Sequence, residues 1–258
     1  MRVVAKGGAV QITGQLMQGG LSFVFVAIAV RILSTADYGL FRQAVQALAI
    51  AGHLGLAGFN YSAMRFIARS RATGNPGGVC GAAWAALISV SILSGISCLA
   101  LLIGADALAS QFADDATRSQ ELASLLRIGA LFVPLFALTQ VLRYCTQAYK
   151  TMVPSVIVGS IVQPAARFVL GVGFLLMGLG VAGVVAAHVV AAGVAAAAGA
   201  WFFRRVLTPI ERSAVPNAHL GPMARFALLQ GGSSLLGVQT LGLAVLVLGV
   251  WARIVRSG

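Results

Sequence analysis

Apolar residues run along this chain in about seven long stretches, and polar residues collect in the short segments between them. A hydrocarbon core of about 30 Å takes about 20 consecutive apolar residues as helix, more than ordinary core helices supply. The pattern predicts spans at about residues 10–33, 38–58, 78–104, 122–148, 153–178, 181–205 and 224–250. Ala82–Ile103 and Val181–Phe203 are the cleanest, and in Val10–Ile32 three glutamines are the strongly polar residues before Arg31. The fold class is therefore all-α, a polytopic membrane helical bundle. The first stretch exceeds the ~7–15-residue core of a signal peptide, so it reads as a retained helix.

The segments between the spans organise the chain. Gly-Asn-Pro-Gly-Gly at 74–78 breaks it before the third span. In Asn60–Arg71 two arginines, Arg65 and Arg69, stand one helical turn apart around Phe66 and Ile67. That spacing fits a helical extension near the headgroups, or a plain loop that sets topology. Residues 105–121 read as the one sizeable outer loop, and Gly178–Gly180 as a tight turn. Val206–Gly221, with Pro209 and Pro216, reads as a long linker. The expected organisation is a six-helix lobe over 1–205, a cytoplasmic linker over 206–221, and the first helix of a second lobe over 222–258. Ala252-Arg253-Ile254 loosely echoes Val30-Arg31-Ile32, as a repeating lobe would.

Composition sharpens the picture. With 59 % hydrophobic and 9 % charged residues, the chain is no ordinary soluble domain. Its net charge of +12 would suggest nucleic acid if the basic residues formed one patch. They stand instead at the ends of the apolar stretches. With a cytoplasmic N-terminus, Arg65, Arg69, Arg71, Lys150, Arg204, Arg205 and Arg212 fall inside, and Asp37, Asp106, Asp114, Asp115 and Glu121 fall outside. Arg118 is an exception, and Arg253 and Arg256 break the rule after the last span. Cys80, Cys98 and Cys145 show no metal or redox spacing and read as packing residues.

Charged residues inside spans carry the functional question. An arginine at helix centre costs about 2.5–3.5 kcal/mol on insertion scales, so it normally faces a cavity or a partner. Arg42, Arg127 and Arg167 are so placed. Gln11, Gln15 and Gln18 form one stripe, and Arg42, Gln46 and His53 share a face. Gln163 and Arg167 are a turn apart, and Gln140, Arg143 and Gln147 share another face. The expectation is a shared polar cavity among the first, second, fourth and fifth spans. Arg31, Arg143 and Arg225 lie near interfaces and read as snorkelling. His53 and His188 are candidates for proton coupling, against a hydrogen-bonded structural role. No Asp or Glu lies inside a predicted span, so the interior suits an anion, above all a phosphate or diphosphate. There is no HExxH, no serine–histidine arrangement and no acidic cluster, so neither catalysis, nor a metal, nor a cofactor is expected.

Certain motifs go further. Lys6-Gly7-Gly8-Ala9 leads into the first span, and Arg31-Ile32-Leu33-Ser34-Thr35-Ala36-Asp37-Tyr38-Gly39-Leu40-Phe41 links it to the second. Leu54-Gly55-Leu56 and Arg65-Phe66-Ile67-Ala68-Arg69 follow. The chain resembles the N-terminal half of polysaccharide biosynthesis/oligosaccharide (O-antigen type) flippases, relatives of MATE-type exporters. Tyr38, Gly39 and Phe41 match that family's short external link, and Arg65 and Arg69 its basic segment. The resemblance implies two six-helix lobes around a central cavity, in a protein about twice this length, working by alternating access in the inner membrane. It implies a polyprenyl diphosphate-linked oligosaccharide as cargo, with membrane lipids and a second lobe or another copy as partners. On that reading the chain is truncated. From their positions in the spans, Arg42 and Arg167 are the candidates for diphosphate contacts, and Gln15, Gln18, Gln46 and Gln163 for the cavity wall. The alternatives are a small-molecule exporter on the same fold, a membrane-embedded polysaccharide-assembly enzyme, or a remnant that transports nothing.

Overall fold

The computed structural model describes residues 2–112, 115–217 and 220–235, all of them in helices or short connections. Long helices α1 (Arg2–Ile32) and α2 (Thr35–Leu56) are joined by a turn in which the Ser34 hydroxyl caps α2, accepting from the Asp37 amide at 3.1 Å. After a corner at Ala57–Gly58 comes α3 (Phe59–Ala72), so the Asn60–Arg71 segment is a helix. Then follow α4 (Pro76–Phe112), α5 (Ala116–Gly129) and α6 (Phe132–Gln147). The fifth predicted span is α7 (Val153–Val156), a π-helical stretch (Ile157–Val162) and α8 (Gln163–Leu176). α9 (Gly180–Val206), the short α10 (Pro209–Ser213) and α11 (Leu220–Leu235) complete the described chain.

Among the described residues, four helices are long and apolar enough to cross a membrane, or five if the bent pair α5–α6 is one span. α2 adds 22 residues, long enough at about 1.5 Å per residue but less apolar because of its polar face. α4 shows why a membrane is the solvent. Trp84, Ile88, Ile92, Ile96, Leu99 and Ile103 follow one another at steps of three or four residues and all are exposed. The opposite face, with Ala82, Ala86, Val90, Leu101, Ala105 and Ala109, is buried. An apolar stripe of that length facing outward suits acyl chains, because helical hydrogen bonds leave no backbone group unsatisfied.

Two expectations are corrected, and a detail is added to a third. The span predicted at 122–148 is not one rod: α5 and α6 meet at a 43° bend. Gly129 and Pro134 flank the break, and proline removes a helical hydrogen bond and crowds the preceding turn. The outer loop predicted at 105–121 is mostly helix, because α4 runs on to Phe112 through alanine-rich sequence and Asp115 caps α5 by accepting from the Arg118 amide at 2.8 Å. The linker carries α10, which a Thr208–Glu211 capping box starts. Of the span predicted at 224–250, the residues from 236 onward lie outside the described residues, as do Asp114, Arg253 and Arg256.

Buried apolar residues form two clusters, one toward each end of the bundle. The acidic end holds Asp37, Asp106, Asp115 and Glu121; the basic end holds α3, the end of α9, and α10. The first cluster joins Phe25, Phe41, Leu48, Leu126 and Val185, and the second joins Phe59, Ile67, Val90, Val141 and Met223. α6 lies between α2, α3, α4 and α9, whereas α1 stands at the edge and packs chiefly on the π-helical stretch and α8.

Candidate functional site

The structure brings some of the candidate residues together and leaves others apart. Toward the acidic end, Arg42 of α2 and Arg167 of α8 lie within coulombic range of each other, and both bear on His188 of α9. Arg167 is half-buried and donates from Nη2 to the Ser22 hydroxyl of α1 at 3.2 Å. Arg42 is exposed on the lobe's surface. His188 is buried, its Nδ1 donating to the Val184 carbonyl at 2.9 Å and its ring edge-on to Phe41 at 5.4 Å. Four helices thus contribute to one basic corner. Ser22 was missed in the sequence, although it stands one turn beyond Gln18 on the same stripe.

The glutamines divide. Gln15 and Gln18 are exposed on α1, while Gln46 and Gln163 are half-buried. Gln163 opens α8 just after the π-helical stretch, where Pro164 lacks an N–H to donate to the preceding turn. A wider π turn ahead of it absorbs the missing bond and the crowding of the ring. His53 is not brought to His188. It sits near the basic end of α2, its Nδ1 donating to the Ala49 carbonyl at 2.8 Å and its ring 5.1 Å from Phe136.

Two readings of arginines are corrected. Arg127 needs no cavity: it is exposed at the acidic end and pairs with Asp106 at 2.5 Å. Arg143 does not snorkel. It is half-buried, with Nε donating to the Ser155 carbonyl at 3.1 Å and Nη1 to Gln140 Oε1 at 2.8 Å. Gln147 donates to the Ser155 hydroxyl at 2.7 Å, completing the link between α6 and α7. The guanidinium lies against Gly159, where any Cβ would occupy its place. The predicted polar face of α6 therefore exists but ties α6 to α7 through Ser155. Its partner Ser155 lies across a turn that periodicity alone does not cross.

At the basic end outside the spans, Glu211 gathers three elements. It accepts from the Thr208 amide at 2.8 Å and the Tyr149 hydroxyl at 2.9 Å, and pairs with Arg71 at 3.3 Å. Arg71 also covers the Tyr149 ring at 3.9 Å. Burial alone would raise the Glu211 carboxyl; the Thr208 and Tyr149 donors and Arg71 outweigh it and hold its pKa below the usual range. Burial, and then the carboxylate itself, push the Tyr149 phenol up. Among the described residues no group of His, Cys, Asp or Glu is arranged to hold a metal ion.

The polysaccharide biosynthesis protein family matches over residues 4–257. No curated protein matches the chain. Among solved structures, a MATE protein in complex with MaD3S is similar at a TM-score of 0.64 and 16 % identity, over 90 % of this chain and 53 % of that one. A MOP superfamily transporter from Pyrococcus furiosus Vc1, described as having a binding pocket of reversed polarity, is similar at 0.64 and 16 %, over 88 % and 52 %. At that identity the likeness shows the fold. The chain spans about half the length of these structures.

Proposed function

Because the chain belongs to the polysaccharide biosynthesis protein family, we propose that it supplies one lobe of a flippase for a polyprenyl diphosphate-linked oligosaccharide. The single observation behind this reading is the basic corner: Arg42 and Arg167, on different helices, face one locality with Ser22 and His188. Both ion pairs described in the chain lie elsewhere, so neither guanidinium has an acid partner among the described residues. Two cations so placed repel, and an anion between them removes the repulsion. A diphosphate has the charge and the oxygens for both forks.

The basic end is cytoplasmic on this reading, because it holds Arg65, Arg69, Arg71, Arg204, Arg205 and Arg212. The lipid tail stays in the bilayer while the head group crosses between this lobe and a second one. Unaided crossing is prohibitive, since the diphosphate and each hydroxyl would lose water without replacement bonds. Exposed Gln15 and Gln18 on α1, with Gln46 and Gln163, suit hydroxyl groups along that path. The lobe over 1–205, the linker over 206–221 and the start of a second lobe from 222 remain part of this proposal. A small cationic drug would find no carboxylate at the basic corner among the described residues, which argues against an exporter of that class.

The test is export in cells lacking their own flippase, read as surface polysaccharide. Arg42→Ala with Arg167→Ala is expected to abolish it at normal protein levels, whereas Arg127→Ala leaves it intact. Full export by the double variant sinks the proposal.

A further inference from the structure

We propose that the basic end of α6 carries a second, separate site for the same head group. In this loading site Arg143 takes the diphosphate, and Tyr144 and Tyr61 take the first sugar. The inference rests on the cargo read above as a diphosphate-linked oligosaccharide.

Position separates it from the basic corner. Arg143 is four residues from the basic end of α6, and its partner Ser155 opens the fifth span at that end. Arg167 lies 12 residues beyond Ser155 on the same span, about 18 Å at a helical rise of about 1.5 Å per residue. One diphosphate cannot touch both.

Chemistry gives the ligand class. A guanidinium inside a membrane-crossing helix requires compensation. Among the described residues Arg143 has neutral partners only: a backbone carbonyl, a serine and a glutamine. A structural link between α6 and α7 needs no charge, because Gln147 already makes one. The bonds to Ser155 and Gln140 engage Nε and Nη1 and fix the plane of the fork, which is the preorganisation that phosphate recognition exploits. The carboxylate described at this end, Glu211, is already held by Arg71, Tyr149 and Thr208.

The aromatic pair gives the sugar. Tyr61 and Tyr144 meet edge to face at 5.0 Å, and both are half-buried. Such rings pack against the C–H face of a pyranose while their hydroxyls bond to its oxygens. The Asn60 amide lies within reach of the Tyr144 hydroxyl, and its Oδ1 is buried with no donor among the described residues. A sugar hydroxyl reaching the pair supplies that donor.

The experiment uses the full chain in nanodiscs, with geranyl diphosphate and geranyl diphosphate hexose as probes, followed by calorimetric titration. Arg143→Lys keeps the charge but loses the fork, and is expected to weaken both probes about tenfold or more. Tyr144→Leu and Tyr61→Leu are expected to weaken only the hexose-bearing probe. An unchanged melting temperature without ligand certifies each fold; if Arg143→Lys lowers it, the two tyrosine variants and Gln140→Ala decide. Wild-type affinity in all these variants, with binding lost in Arg42→Gln/Arg167→Gln, overturns the loading site and leaves the flippase reading standing. Failure of the wild-type chain to bind either probe overturns both.

Discussion

Arg143 and Arg167 are both guanidinium groups on membrane-crossing helices, and the protein holds them in opposite ways. Arg143 is fixed from two sides, by the backbone at Ser155 and by Gln140, with Gly159 cleared to admit it. Arg167 has one hydrogen bond among the described residues, to a serine hydroxyl, and a like charge nearby in Arg42. The first arrangement stabilises the helix joint whether or not a ligand is present. The second leaves a charge repulsion that, on the proposed function, an anion would relieve. Equal charge thus carries unequal structural weight, and the geometry of neutral partners decides which.

The largest expected effect tests that contrast directly. Arg143→Ala strands the Ser155 carbonyl and Gln140, and should lower stability by about 2–4 kcal/mol. Arg167→Ala should change it by less than about 1 kcal/mol, since it loses one bond and relieves a repulsion. Thermal unfolding in nanodiscs measures both, and equal losses would break the comparison. Next comes Gly159→Ala, whose new methyl group lands on the Arg143 guanidinium. It should cost about 1–3 kcal/mol by overpacking. Gly173, with open space around its Cβ position, is the control; Gly173→Ala should leave stability unchanged or raise it by up to about 1 kcal/mol.

A smaller effect lies at Glu211. Its folded pKa is depressed below the ordinary 4.5, so the unfolded chain binds more protons in between. The stabilisation is therefore whole above about pH 4.5 and is lost as pH falls through the lower folded value. A wild-type melting temperature that falls with acidification, against a flatter profile in Glu211→Gln, is the expected result. The smallest effect is Asp106→Asn, which breaks the exposed pair with Arg127 and should stay within about 1 kcal/mol. A larger loss there would mean that surface charge, as well as neutral framing, fixes these arginines.

Much of this fold was legible in the sequence. Apolar length gave the long helices, and the Arg65–Arg69 spacing correctly allowed for α3. The break at residues 130–131 was missed because hydropathy is continuous across it, although Gly129 and Pro134 marked the place. α4 ran past its predicted end because alanine favours helix regardless of the acid at Asp106. Arg42 and Arg167 were picked out by depth alone. The partnership of Arg167 with Ser22 and of Arg143 with Ser155 required knowing which helices are neighbours, information that no single helical face contains. The π-helical stretch, Ile157–Val162, has no composition of its own; Pro154 and Pro164 on either side are its only trace.

The corner between α2 and α3 has a mechanical consequence. Gly58, at a φ of +80°, lets α11 rest directly on the backbone there; a side chain would strike Ala227 and Gly231. The Ser62 hydroxyl bonds to the Met223 carbonyl at 2.9 Å, and Arg65 covers Phe226 at 4.4 Å, so the seat has three fastenings. From that fulcrum α2 runs as a stiff arm to Arg42, 15 positions before Ala57, about 22 Å at helical rise. A rotation of about 5° at the seat swings the far tip by about 2 Å, enough to make or break a hydrogen bond.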